Sequence, residues 1–202
     1  MMNAIVVYES IYGNTRAVAE AVAEGLGAAA VLPVREAVGR TAEAEILVVG
    51  GPTHMHGLAT ARSRQMAAAA AHEDGASTIE PGATEEPGLR GWLRELPQKD
   101  GAYAAAFDTR LDKSPWLTGV AARGIARRLR HHGFEVLSTE SFLVEDSERP
   151  LEEGELDRAR AWGTQLAQSL PAVAKRSTEV SSGRSSGSWP GSSPTTSVPT
   201  SR

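Results

Sequence analysis

The stretch Asn3-Ala4-Ile5-Val6-Val7-Tyr8-Glu9-Ser10-Ile11-Tyr12-Gly13-Asn14-Thr15, with RAVAEAVAEGLG over residues 16–27, decides the fold. Its first six residues are an almost unbroken apolar run, as expected for a strand buried on both faces of a parallel sheet. From Thr15 the period changes. Val18, Val22 and Leu26 recur at i, i+4 and i+8 and predict a helix ending before Gly27.

The same alternation continues outward along the chain. Apolar runs at Glu45–Gly50 and Ala102–Phe107 predict two further buried strands, and Ala29–Val34 and Phe134–Leu143 are weaker candidates. Helical spacing returns over Gly119–His132, through Ala121, Ile125 and Leu129, with Gly133 as the stop. A last helix is marked by Leu156, Ala159, Gly163, Leu166 and Leu170. Strands alternating with helices through right-handed crossovers predict an α/β fold: a doubly wound, five-stranded parallel sheet in a three-layer sandwich. The segment Leu58–Gly101 is too long for a plain connection. It holds an alanine-rich helix reaching Ala71 and a short apolar face at Leu89, Trp92, Leu93 and Leu96. Between them lies a glycine- and proline-containing loop, Asp74–Pro87, of lid-like length.

Composition narrows the chemistry. The 202 residues contain no cysteine, which excludes disulfides, thiolate metal sites and cysteine nucleophiles, and fits a reducing, cytoplasmic setting. No run approaches the roughly 18 apolar residues of a membrane span, and nothing at the start resembles a secretory leader, so neither a membrane partner nor export is expected. Residues 1–174 carry 17 Lys+Arg against 24 Asp+Glu, a balance that argues against nucleic acid as a partner. Ser, Thr, Gly and Pro supply 20 of the 28 residues in 175–202. Too little apolar surface remains there to offset the entropy of ordering, so the expected organisation is one domain over 1–174 and a disordered tail over 175–202. Nothing in the sequence reads out an oligomeric state.

Ligands of open parallel sheets bind beyond the carboxyl ends of the strands, and three such segments carry distinctive residues. After the first strand, Ser10, Ile11, Tyr12, Gly13, Asn14 and Thr15 lack both the dinucleotide and the P-loop glycine patterns. They offer hydroxyls, an amide, a glycine and a helix N-terminus, the parts of a phosphate cradle made of dipoles. A plain helix cap by Asn14 or Thr15 is the competing reading. After the third strand stand Gly50, Gly51, Pro52, Thr53, His54, Met55, His56 and Gly57, where glycines permit close backbone approach and His54, Met55 and His56 can wall a flat ring. His54 and His56 also have metal-ligand chemistry, but spacing supplies no third ligand, and no metal is assigned. After the fourth strand come Asp108, Thr109 and Arg110, with Lys113, Ser114, Pro115 and Trp116 beyond. Asp108 and Arg110 can equally pair as a surface element, and Trp116 can equally pack.

These residues resemble the flavodoxin-like FMN proteins, whose phosphate loop has the form [ST]-x-[ST]-G-x-[ST]. Ser10, Gly13, Asn14 and Thr15 match it. Tyr12 stands where short flavodoxins have a small hydroxyl residue and looks more like the FMN-dependent quinone reductase branch, as does Gly51-Pro52-Thr53; Glu9 is an unusual neighbour for a phosphate. The resemblance covers residues 3 to 170 and implies FMN as cofactor, with its phosphate on the first loop. It implies ring contacts from Pro52, Thr53, His54, Met55, His56 and Gly57 and from Asp108, Thr109 and Arg110, although the Gly-Asp arrangement of short flavodoxins is missing there. The implied function is a redox protein carrying electrons between a reductase and an acceptor, hence a redox partner protein. The alternatives are an FMN-dependent NAD(P)H or quinone oxidoreductase, with a small quinone or nicotinamide as substrate, and a flavin-free interaction module of the same shape. No catalytic residue is assigned. A phosphoacceptor receiver is excluded because Glu9 stands alone and Gly51-Pro52 replaces its aspartate; a low-molecular-weight tyrosine phosphatase is excluded for want of a cysteine. The arginines at 123, 127, 128 and 130 are expected to be a solvated helix face.

Overall fold

Residue Val6 has no exposed surface and neither do Val7, Ile46, Leu47, Val48, Val49 and Ala104–Phe107. Such strands need cover on both faces, and the computed structural model supplies it. It describes residues 3–27, 29–54, 57–74, 79–112, 119–145 and 150–182, with side chains left out of account at 71–74 and 171–182. The strands are β1 (Ala4–Tyr8), β2 (Ala29–Pro33), β3 (Ile46–His54), β4 (Gly57–Leu58), β5 (Tyr103–Leu111) and β6 (Glu135–Val144). Five of them run parallel in the order β2-β1-β3-β5-β6, and β4 turns back antiparallel on the end of β3. The helices are α1 (Asn14–Leu26), α2 (Ala61–Asp74), α3 (Leu89–Glu95), α4 (Ala121–His131) and α5 (Glu155–Ser182). The chain divides into two compact units, Met1–Gln168 and Ser169–Arg202, and the sheet lies in the first. The last helix runs through the boundary expected after Ala174, and residues 183–202 lie outside the described set.

One face of the sheet, with Ile5, Val7, Leu47, Val49, Ala104 and Ala106, joins a core with Leu89, Trp92 and Leu93 of α3 and Ile125 and Leu129 of α4. On the other face, α1 and the first part of α5 meet closely: a Cβ on Gly25 would stand 2.1 Å from the Arg160 carbonyl oxygen, and one on Gly163 2.3 Å from that of Val22. The edge-to-face trio Phe107, Phe142 and Trp162 fills that side, with centroids 6.0 to 6.3 Å apart.

Two strands are longer than the sequence predicts. Gly51–His54 and Asp108–Leu111, expected as loops, continue β3 and β5, with Gly51 opposite Asp108 and Pro52 opposite Thr109. The β1 ladder ends at Tyr8 opposite Gly50, so Pro52 sits where its missing N–H costs β3 no bond to β1. Gly50 serves core packing, since a Cβ there would lie 2.0 Å from the Phe107 ring.

The long insertion between β3 and β5 is pinned by a buried charge network. Glu9 Oε2 accepts from the Leu89 backbone N–H at the start of α3 (2.7 Å) and from Arg64 Nη1 on α2 (3.3 Å), and Arg64 also bonds Glu86. Glu9 therefore faces the insertion. Burial pushes its carboxyl above the usual carboxylate range, against the opposing pull of the Leu89 amide and Arg64. Removing one partner of such a network strands the others. Glu9→Ala is expected to cost about 3–5 kcal/mol in a denaturant melt, and Glu9→Gln, which keeps an acceptor for Leu89, distinctly less.

Candidate functional site

The loop after β1 makes its turn at Gly13, which has φ 93° and is the N-cap of α1. Neither Asn14 nor Thr15 is that cap, and the first turn of α1 carries no acidic residue. Ser10 Oγ accepts from the Gly13 backbone N–H (3.1 Å), which leaves the Ser10 hydroxyl proton to donate elsewhere. Thr15 is buried and its hydroxyl bonds that of Thr109 on β5 (2.8 Å), tying the first loop to the third. The loop thus offers hydroxyls and a helix N-terminus, a donor set for an anion that needs no cation of its own.

Beside it, beyond the strand ends, is a cleft of about 290 Å3 lined by Ile11, Tyr12, Asn14, Pro52, Thr53, His54, Thr109, Arg110, Leu111 and Val144. Eight of these ten are residues expected from the sequence, drawn from all three predicted segments. Leu111 and Val144 were missed because the readings of the fourth and fifth strands stopped short. Tyr12 is held as a wall of the cleft by its hydroxyl, which donates to the Ala67 carbonyl of α2 (3.2 Å). Arg110 Nη1 donates to the Leu111 carbonyl (3.1 Å), so its head lies along the strand.

Some expected residues sit elsewhere. Asp108 has no exposed surface and is not part of the cleft lining: its Oδ2 accepts from Thr53 Oγ1 (2.7 Å) and from the Ala122 backbone N–H (3.0 Å). Thr53 Oγ1 in turn accepts from the Ala121 N–H (2.9 Å). These two side chains anchor the N-terminus of α4, where a negative charge is favoured by the helix dipole. Gly57 forms β4 and does not line the cleft. Met55, His56 and Lys113–Trp116 lie outside the described residues. Among the described residues no group of three metal-ligating side chains converges, and no helix is long and apolar enough to cross a membrane.

The loop that fits lid-like length does not reach the cleft with its described part. Glu80 N–H donates to the Ile11 carbonyl (2.8 Å), and Arg35 at the end of β2 donates to the Pro81 carbonyl (2.6 Å). None of residues 79–88 lines the cleft, and they meet the first loop through the Glu80–Ile11 bond.

The flavodoxin family model matches residues 6–162 of this chain. The chain belongs to the flavodoxin family. Among solved structures, an archaeal flavodoxin is 20% identical with a TM-score of 0.54, covering 84% of this chain and 99% of its own. A WrbA-like flavodoxin from Agrobacterium tumefaciens is 19% identical with a TM-score of 0.54, covering 85% and 99%. A flavodoxin from Streptococcus pneumoniae is 20% identical with a TM-score of 0.54, covering 84% and 97%. These likenesses speak for the fold. Among curated proteins none matches the sequence.

As a flavodoxin the chain is an FMN redox protein, and its residues fit that cofactor. The uncharged donors of the first loop suit a phosphate, and the adjoining cleft, with walls of Tyr12, Pro52, His54 and Leu111, suits a flat ring. At about 290 Å3 it stands near the lower end of ligand pockets, roughly 300–1,000 Å3.

His54 is half-buried in that cleft, and burial lowers its pKa from 6.5. The unfolded chain therefore binds the proton first as pH falls, so His54 contributes stability above pH 6.5 that is lost as pH falls through that value toward its lowered folded pKa. In thermal melts from pH 8 to 5, His54→Asn is expected to flatten this part of the pH dependence.

Proposed function

We propose that the protein is an FMN-dependent electron carrier that takes electrons from a separate reductase and delivers them to an acceptor protein. The observation that carries this reading is the position of residues 79–88. A two-electron reductase needs a roofed pocket above the ring that admits nicotinamide or quinone and excludes water. In the described part of the insertion Glu80 is instead bonded to Ile11 and Pro81 to Arg35, and none of residues 79–88 lines the ring cleft. A ring with an accessible edge suits exchange with a partner protein.

FMN supplies the redox chemistry when bound, and the chain supplies position and environment. Ser10, through its free hydroxyl proton, Gly13, Asn14 and Thr15 hold the phosphate. Ile11, Tyr12, Pro52, Thr53, His54, Thr109 and Arg110 enclose the ring. His54, kept neutral at pH 7 by burial, adds no charge to the cleft. Thr53 and Asp108 fix the walls by joining β3 and β5 to α4.

Two measurements test these assignments. Ser10→Ala is expected to weaken FMN about tenfold while riboflavin, which lacks the phosphate, loses little; equal losses would remove the first loop from phosphate binding. In the flavin-loaded protein, NADH and NADPH alone are expected to leave the flavin oxidised, whereas a flavodoxin reductase with NADPH bleaches its absorption. Direct reduction by either nicotinamide, with turnover of a quinone, would replace the carrier reading by that of a reductase.

A further inference from the structure

The N-termini of α1, α3 and α4 each have a carboxylate from another element beside them, in addition to the local Glu86 that accepts the Gly88 amide before α3. Glu9 accepts the first amide of α3, and Asp108 accepts the Ala122 amide of α4. Both are buried and committed to those bonds. The third is Glu80, which comes from the insertion. Its Oε1 lies 3.2 Å from where a Cβ of Gly13 would be, at the N-cap of α1, and 3.1 Å from Arg16 Nε in the first turn of the same helix. No helix amide is bonded to it, and the Arg16 guanidinium is its one ion-pair partner among the described residues. Its backbone N–H, bonded to the Ile11 carbonyl, sets the carboxylate against the loop that offers its donors to an anion. Glu80, Ser10 and Arg16 share a cavity of about 270 Å3 with Tyr8, Arg35 and Pro81, and neither Glu80 nor Arg16 lines the ring cleft.

We propose that Glu80 is the specificity residue of the phosphate site: a resident anion, held by Arg16 against the Gly13 turn, that sets how strongly the loop prefers a phosphorylated flavin over an unphosphorylated one. The proposal rests on FMN binding at the first loop. An incoming phosphate, nearly doubly negative at neutral pH, meets the like charge of Glu80 and the opposite charge of Arg16. A neutral riboflavin meets neither. Glu80 thus lowers the selectivity for FMN below what the loop alone would give, and Arg16 raises it. Because neither residue of the pair lines the ring cleft, its effect falls on the phosphate and leaves the ring contacts alone.

The test is fluorescence-quenching titration of the full-length, flavin-stripped protein with FMN and with riboflavin, in wild type, Glu80→Gln and Arg16→Gln. Glu80→Gln is expected to tighten FMN about tenfold, with riboflavin within twofold of wild type. Arg16→Gln, which leaves Glu80 in place without its counter-ion, is expected to weaken FMN by a similar factor and again to spare riboflavin. Both differences should shrink at high salt. If Glu80→Gln folds poorly, as judged by its melt, the Arg16→Gln titration and the salt series in wild type decide the matter alone. Unchanged FMN affinity in both variants overturns the proposal while leaving the FMN reading intact, and so does parallel tightening of FMN and riboflavin, which would mark a steric effect. Failure of every variant, wild type included, to bind either flavin removes the FMN reading and this proposal together.

Discussion

The crevice exists because the chain leaves β1 and β3 toward opposite faces of one parallel sheet. From β1 it passes through α1 to β2 on one side; from β3 it passes through α2 and α3 to β5 on the other. At such a switch point the chain departs to both sides and leaves a crevice between the two adjacent strands, where ligands of open parallel sheets bind. Every feature of the site follows from this divergence. The first loop can turn at Gly13 because β1 stops at Tyr8, while β3 and β5 continue four residues beyond their predicted ends and raise one wall of the cleft.

Carboxylates then decide which helix ends are available. Side chains at the ends of β1 and β5 reach across to α3 and α4, and each supplies an acceptor with a negative charge where the helix dipole favours one. The same reach gives rigidity. Glu9 joins β1, α2 and α3 in one buried network, and the Thr53–Asp108 pair joins β3, β5 and α4. The first loop is left without an acidic residue of its own in the turn of α1, and the carboxylate beside it, Glu80, is brought from a distant part of the sequence.

Legibility in the sequence follows the range of the interactions. The order of strands and helices was readable because buried parallel strands and amphipathic helices leave local periodicities, and the turn before α1 was readable because its glycine and polar residues are contiguous. What escaped depends on neighbours far along the chain. Gly50-Gly51-Pro52 looks like a turn until one knows that β1 has ended beside it and that Phe107 needs the space. Asp108 looks like a ring contact until α4 is folded against it. Glu9 looks misplaced next to a phosphate until Arg64 and Leu89, 55 and 80 residues later, turn it away. Glu80 carries no local signal at all.

The placement of the insertion separates two properties that one loop could have governed together. Its described part is attached to the first loop and to Arg35 after β2, which in the proposed reading is the phosphate end of the site, whereas the proposed ring end is bounded by the ends of β3, β5 and β6 and by Tyr12. In the proposed reading, changes in residues 79–88 therefore act first on how tightly the cofactor's charged end is held. Changes in His54, Thr109 or Leu111 act on the ring's surroundings and on what can approach it. A carrier benefits from that division, because retention of the cofactor and access to its edge make opposite demands on a single lid: tight closure secures the first and blocks the second.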